Sequence, residues 1–163
     1  PDVYGGKLAV VRAAADAAGR NPDAITPAMQ AFVVIGRTEA EARRLFDSKA
    51  LRYASLLVSD AEWTRQGLTH PFGDGFRGMV DIVPQHLSRN QLEDALSRVP
   101  GEKLAAEAIC GTPDMVADKL QALGDAGLRH VVLVPLSAMV SRRAAVDTMR
   151  GMLTVARRLR TGR

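Results

Sequence analysis

The sequence predicts an α/β protein built on a parallel sheet, and three observations support that class. Ala108 to Leu136 reads as strand, glycine turn, amphipathic helix, glycine turn and apolar strand, one complete β/α/β unit. The rest of the chain alternates helical periods with short β-branched runs, and such alternation requires helical crossovers between parallel strands. Val131 to Val134 is a continuous apolar run, the pattern of a parallel strand covered on both faces.

Within the unit, Ile109 and Cys110 end the first strand, Gly111 turns the chain, and Thr112 is placed to cap the helix. Pro113 takes the first helical position, where its missing N–H costs nothing. Val116, Leu120 and Leu123 keep the helical period, Asp114 sits at the positive end of the helix dipole, and Gly127 supplies the left-handed stop. Upstream, Lys7 to Ala18 carries Leu8, Val11, Ala14 and Ala15 along one side and ends at Gly19. Arg20 to Asp23 makes a turn on Asn21 and Pro22. Ile25 to Gly36 is the next strand, with Ala31 to Ile35 as its apolar centre.

Thr38 to Glu41 reads as a capping box, with the Thr38 hydroxyl accepting from the Glu41 amide and the Glu41 carboxylate returning to the cap. It opens one long helix through Leu57, with Leu45, Phe46 and Tyr53 on its period. Ser88 to Gln91 is a second capping box, opening a helix with Leu92 and Leu96 that stops before Pro100. A short helix from Glu102 leads into Ala108 to Cys110. Ser141 caps the last helix, with Val146, Met149, Met152, Leu153, Ala156 and Leu159 expected on its buried side.

The 163 residues fit one domain. The opening at Pro1, already close to a helical pattern, reads as a cut through a longer protein. No apolar run approaches the roughly 20 residues of a membrane span. The single cysteine, Cys110, excludes an intrachain disulfide and suits a reducing cytoplasm. Net charge is +4, but from Arg142 onward there are seven arginines against Asp147 alone, so the remainder is net acidic. An arginine-rich terminal helix is either a solvated face or a site for anionic partners. No aromatic residue interleaves with the arginines, which argues against nucleic acid.

From Ser59 to Leu87 no regular period holds, and this insertion concentrates Trp63, His70, Phe72, Phe76, His86 and two prolines. A loop so long covers a site or a partner. His70, ahead of Pro71 and beside Phe72, is either a proton donor or substrate contact, or a loop histidine bonded to backbone. Asp74 and Asp81 are candidate polar groups or solvated turn residues. Trp63, Phe72 and Phe76 form either a pocket wall or a core of their own. The strand–Gly111–Thr112–helix turn is an anion site or a plain cap. His130 and His86 lack metal-ligand spacing, so no metal site is expected. No G-x-G-x-x-G or P-loop pattern occurs.

Ala17 to Asp23, Thr38 to Arg43, the Gly111-Thr112-Pro113 turn, Ala126-Gly127 and Val131 to Pro135, in this order and spacing, resemble the C-terminal part of the bacterial luciferase-like superfamily. The loop His70-Pro71-Phe72-Gly73-Asp74-Gly75-Phe76, followed by Asp81 to Gln85, is similar to its coenzyme F-420-dependent ketoreductase branch. The resemblance implies part of a (β/α)8 TIM barrel, with Ile25 to Gly36, Ala108 to Cys110 and Val131 to Val134 as the sixth, seventh and eighth strands. It implies an oxidoreductase that transfers hydride from reduced coenzyme F-420 to a carbonyl, such as that of a lipid-like ketone. The alternative within the family is an FMN-dependent monooxygenase, and from another class a non-catalytic module binding anionic partners through the last helix. By this resemblance Gly111 and Thr112 lie on the active-site rim as cofactor-side positions, and the end of the eighth strand at Pro135 to Ser137 and the loop with His70 and Asp81 lie on the rim or substrate side; Trp63, Phe72 and Gln85 of the same loop are the further candidates for the substrate pocket. No catalytic residue is implied. Three strands cannot close a barrel, so the chain is expected to need the missing N-terminal half, or to cover its sheet by self-association or rearrangement.

Overall fold

In the computed structural model, residues 1–101 and 103–161 are described. Glu102, where a short helix was expected, and Arg163 of the basic tail lie outside them. The elements are α1 (Asp2–Ala17), β1 (Ala28–Ile35), α2 (Glu39–Arg44), α3 (Lys49–Leu56), α4 (Asp60–Thr64), α5 (Arg89–Ser97), β2 (Ile109–Gly111), α6 (Pro113–Asp125), β3 (His130–Pro135) and α7 (Arg142–Thr161). The three strands form one sheet of order β2-β1-β3, parallel throughout.

Side-chain alternation along β1 divides the core. Val33 and Ile35, with Ile109 and Leu133, pack against Val116, Ala117 and Leu120 of α6 and Val155 of α7. Val34, with Phe32, Cys110 and Val134, packs against Ala42, Phe46, Leu51 and Ala54 of α2 and α3 and the turns that follow them. Val33 and Val34 are wholly buried, each contributing about 1.5–3 kcal/mol of transfer free energy. Helices therefore cover both faces, and β1 is the buried centre.

This order differs from the expected one. Consecutive barrel strands pair in chain order, whereas here β3 lies on the β1 edge opposite β2 and fills the place a preceding barrel strand would take. The reversal has a chiral consequence. Right-handed crossovers that run first one way and then the other across a sheet put their helices on opposite faces, as α2–α3 and α6 are seen to lie.

Local expectations held at the caps and failed where packing decides. Thr112 Oγ1 accepts from Met115 N–H at 3.4 Å and Thr38 Oγ1 from Glu41 N–H at 3.1 Å. Both bonds of the Ser88–Gln91 capping box are present. The Glu41 carboxylate, however, reaches Arg37 N–H rather than the cap. The expected long helix is broken into α2 and α3, because a 3-10 turn at Leu45–Asp47 directs Phe46 into the core and Ser48 starts a new cap. β3 is only partly covered, with Val132 52% exposed. In α7 the buried residues are Thr148, Gly151 and Val155, whereas Val146, Met149 and Leu153 face outward. The cause is close approach: a Cβ on Gly151 would stand 2.6 Å from Ile35 Cγ2. Met152 and Leu159 pack onto this core as expected, and the close approach at Gly151 sets which face of the helix lies nearest the sheet.

Candidate functional site

Because the strands are parallel, their carboxyl ends bring Gly36, Gly111 and Leu136 to one edge of the sheet, where open α/β proteins bind ligands. Gly36 N–H donates to Gly111 O at 3.2 Å, joining two of these exits. Gly111 has φ +148°, and a Cβ there would lie 2.9 Å from Met115 Cβ, so only glycine fits. At the start of α6, Thr112 Oγ1 is committed to Met115 N–H and Pro113 has no N–H. The Asp114 carboxylate stands beside the same helix end, paired with Arg158 at 2.6 Å. With Met115 packed over the glycine and an acid at the helix start, this turn as folded does not fit a cofactor phosphate. It is a helix cap.

Ser137, at the exit of β3, is fully buried. Its hydroxyl oxygen accepts from Ile35 N–H at 3.1 Å and shares a 2.7 Å hydrogen bond with Thr148 Oγ1. These bonds tie the ends of β1 and β3 to α7. Ser137 thus serves as a strut, with no free group for a substrate.

Beside this strut the carboxyl end of β1 and the start of α7 flank a cleft of about 260 Å³ lined by residues that include Gly36, Arg37, Glu41, Ser141, Arg143 and Asp147. Arg37 Nε lies 3.2 Å from Glu41 Oε2. Arg143 and Asp147 form a looser pair at 3.9 Å. The hydrogen bonds from Arg37 hold the Glu41 carboxyl below its usual range, with Arg143 adding in the same direction. Glu41 is therefore an ionised acceptor at neutral pH rather than a general acid. The volume suits a small polar group, below the usual size of a cofactor pocket. Sequence reading missed this cleft, since Arg37 and Arg143 are far apart in the chain; the Thr38 and Ser141 caps were its only signal.

The insertion from Ser59 to Leu87 builds a separate core. Trp63, with Leu56, Ala95, Leu96 and Val99, forms a cluster to which Phe72 adds from the edge. Trp63 Nε1 donates to Ser55 O at 3.2 Å. His70 is 1% exposed and stacks on Phe76 at 4.4 Å between centroids, with Trp63 edge-on at 5.0 Å. Its Nδ1 accepts from Phe72 N–H at 3.1 Å and its Nε2 faces Leu56 O at 3.3 Å. A ring that accepts at one nitrogen and meets a carbonyl at the other is neutral and protonated on Nε2. Burial also pushes the imidazole below its ordinary value. His70 is the histidine bonded to backbone, and the aromatics are a core of their own.

Lys103 completes this core, its ammonium 2.6 Å from Glu107 and 5.0 Å from the Trp63 centroid. Its full burial was not legible in the sequence, because a lysine four residues before a glutamate reads as a surface pair. Asp81 is tied to Arg77 by backbone and guanidinium hydrogen bonds at 2.6–2.9 Å, which hold its carboxyl below the usual range. Gln85, Asp74, His86 and His130 are exposed. Burial raises the pKa of the half-buried Cys110 thiol, which disfavours the thiolate. Trp63, His70 and Phe72 thus come together, while Asp81 and Gln85 lie outside their cluster and Gly111 and Ser137 belong to the sheet. Among the described residues no group of three His, Cys, Asp or Glu is placed to hold a metal.

A parallel α/β scaffold with helices on both faces of the sheet and a small polar cleft near the carboxyl end of its central strand is the class that fold and geometry define. Residues 1–130 match the model of the family described as luciferase-like monooxygenase, and the chain belongs to that family. The phthiodiolone/phenolphthiodiolone dimycocerosates ketoreductase of Mycobacterium tuberculosis is 35% identical over 134 residues, 82% of this chain and 35% of the relative. The protein of the same name from Mycobacterium kansasii is 31% identical, covering 82% and 36%. That of Mycobacterium sp. (strain JLS) is 36% identical, covering 84% and 36%. The chain spans about a third of the length of these relatives. The crystal structure of riboflavin lyase with modified FMN and riboflavin superposes with a TM-score of 0.51 at 22% identity, covering 96% of this chain and 36% of that one, a likeness of fold.

Proposed function

We propose that these residues form the C-terminal part of an oxidoreductase that reduces a carbonyl on a lipid-like substrate by hydride transfer from reduced coenzyme F-420. The observation that carries this reading is the 35% identity to ketoreductases named for dimycocerosates, spread over 82% of the chain. The resemblance of the His70–Phe76 loop and of Asp81 to Gln85 to the F-420-dependent branch supports the choice of cofactor. When bound, the deazaflavin supplies the hydride, and the protein supplies orientation and a proton donor.

In this proposal the chain's own residues build and hold the substrate side. Trp63, His70 and Phe72 stiffen the insertion from within, while Asp81 and Gln85 are its candidates for substrate contact. Gly111 and Ser137 shape the ends of β2 and β3. The proton donor is not assigned to this chain: His70 has both ring nitrogens engaged, and Glu41 and Asp81 are held ionised. The three strands are proposed as the sixth to eighth of a barrel completed by preceding sequence.

FMN is the second reading, favoured by the modified FMN in riboflavin lyase. Fluorescence titration of a full-length protein containing these residues, with each cofactor, separates the two. We expect F-420 to bind more tightly and reduced F-420 to be oxidised when a long-chain ketone is added. Preference for FMN would move the reading to a monooxygenase, and binding of neither would sink both.

A further inference from the structure

Helix α7 has a second apolar face that the fold leaves uncovered. At 100° per residue, Val146, Met149 and Leu153 lie opposite the buried Thr148, Gly151 and Val155, and they are 51%, 54% and 58% exposed. Arg142, Arg150, Arg157 and Arg160 share that outward side and are all exposed. None of these four joins an ion pair among the described residues. The flanking arginines are paired, Arg143 with Asp147 and Arg158 with Asp114 and Asp118. Asp147, the only acid of α7, thus lies off the outward face. The outward face is the side of the helix opposite the strands it covers.

We propose that this face docks on an anionic lipid surface, with Val146, Met149 and Leu153 entering the acyl boundary and the four arginines engaging headgroup phosphates. Apolar residues flanked by arginines along a helix are the composition that lies in a membrane interface, and long arginine stems reach headgroups while the apolar side chains sink. Charge selects this occupant over a second copy of the chain. A two-fold dimer through α7 would set unpaired arginines against arginines with no acid between them, whereas an anionic bilayer neutralises them. No helix among the described residues is long and apolar enough to cross a membrane, so the contact is peripheral.

The test is co-sedimentation of the chain with vesicles of phosphatidylcholine alone or mixed with phosphatidylglycerol, at low and high salt. Binding is expected only to the anionic vesicles and is expected to weaken at high salt. Arg150→Gln with Arg157→Gln should lower the partition coefficient roughly 25-fold, about fivefold per arginine. Met149→Gln with Leu153→Gln should lower it roughly tenfold or more, and Val146→Gln is an independent change on the same face. All five sites are exposed, and unchanged thermal melting confirms that the variants are folded. Absence of binding at low salt, equal binding to neutral vesicles, or unchanged binding of the apolar variants would overturn the proposal. So would a dimer in sedimentation equilibrium that Leu153→Gln dissociates, without vesicle binding. Vesicle binding needs neither cofactor nor turnover, so its failure is separable from a failure of hydride transfer.

Discussion

Ser137 shows how a residue with the chemistry of a site can serve the fold instead. Its hydroxyl satisfies a strand amide and a threonine hydroxyl in a fully buried position, and Ser137→Ala leaves both without a partner. A loss of about 1–3 kcal/mol is expected, read as a fall of several degrees in the melting temperature; an unchanged melting temperature would remove the strut. His70 sets a pH dependence of known sign. Its folded-state pKa is depressed by burial, so the unfolded chain binds the proton more readily. Stability is complete above the ordinary imidazole range near 6.5 and falls as pH drops from there through the lower folded-state value. Denaturant midpoints measured across that window should decrease with falling pH, and His70→Gln should flatten the profile.

At the scale of elements, α7 illustrates competition between local propensity and packing. Gly151 is a poor helix former, and alanine would gain about 1 kcal/mol of intrinsic helix stability. Its Cβ, however, would press on Ile35 Cγ2 at 2.6 Å and approach Pro113 Cγ at 3.3 Å, and overpacking of this kind costs about 1–3 kcal/mol. Gly151→Ala should therefore be neutral to about 2 kcal/mol destabilising, and Gly151→Leu more damaging, as measured by urea denaturation. A gain in stability from either substitution would show that the helix can move off the sheet. The break between α2 and α3 has a similar origin: residues 39–57 are periodic enough for one helix, but burying Phe46 and capping at Ser48 outweigh continuity.

For the whole molecule, the strand order carries the main consequence. β3 pairs with β1 along six registered positions, including Gln30 opposite Val132, both on the exposed part of the sheet. Replacing these two by cysteine, with Cys110→Ser to remove the native thiol, should give an intrachain disulfide under mild oxidation, since neighbouring strands lie within bridging distance. Failure to form it would contradict the β2-β1-β3 order. In a longer chain that supplies a preceding barrel strand, the same pair should cross-link poorly, because β3 would give up that edge. The isolated chain thereby covers an edge that would otherwise invite aggregation.

Local chemistry by itself determined the class of fold, the cap at each of Thr38, Ser88, Thr112 and Ser141, the glycine turn at Gly111 and the family resemblance. These depend on residues within a few positions of one another, where hydrogen-bond geometry and allowed dihedrals leave few choices. Only the tertiary structure decided which strand is central, which face of α7 is buried, that Lys103 lies under Trp63, and that Arg37 and Arg143 share one cleft. Each of those depends on contacts between distant segments, and there packing volume and the burial of charge outweigh local pattern. The candidate site was legible as a list of chemically able residues in the 59–87 insertion and at the strand ends. Its arrangement was not, because a buried neutral histidine and a solvent-facing catalytic one are written with the same letter.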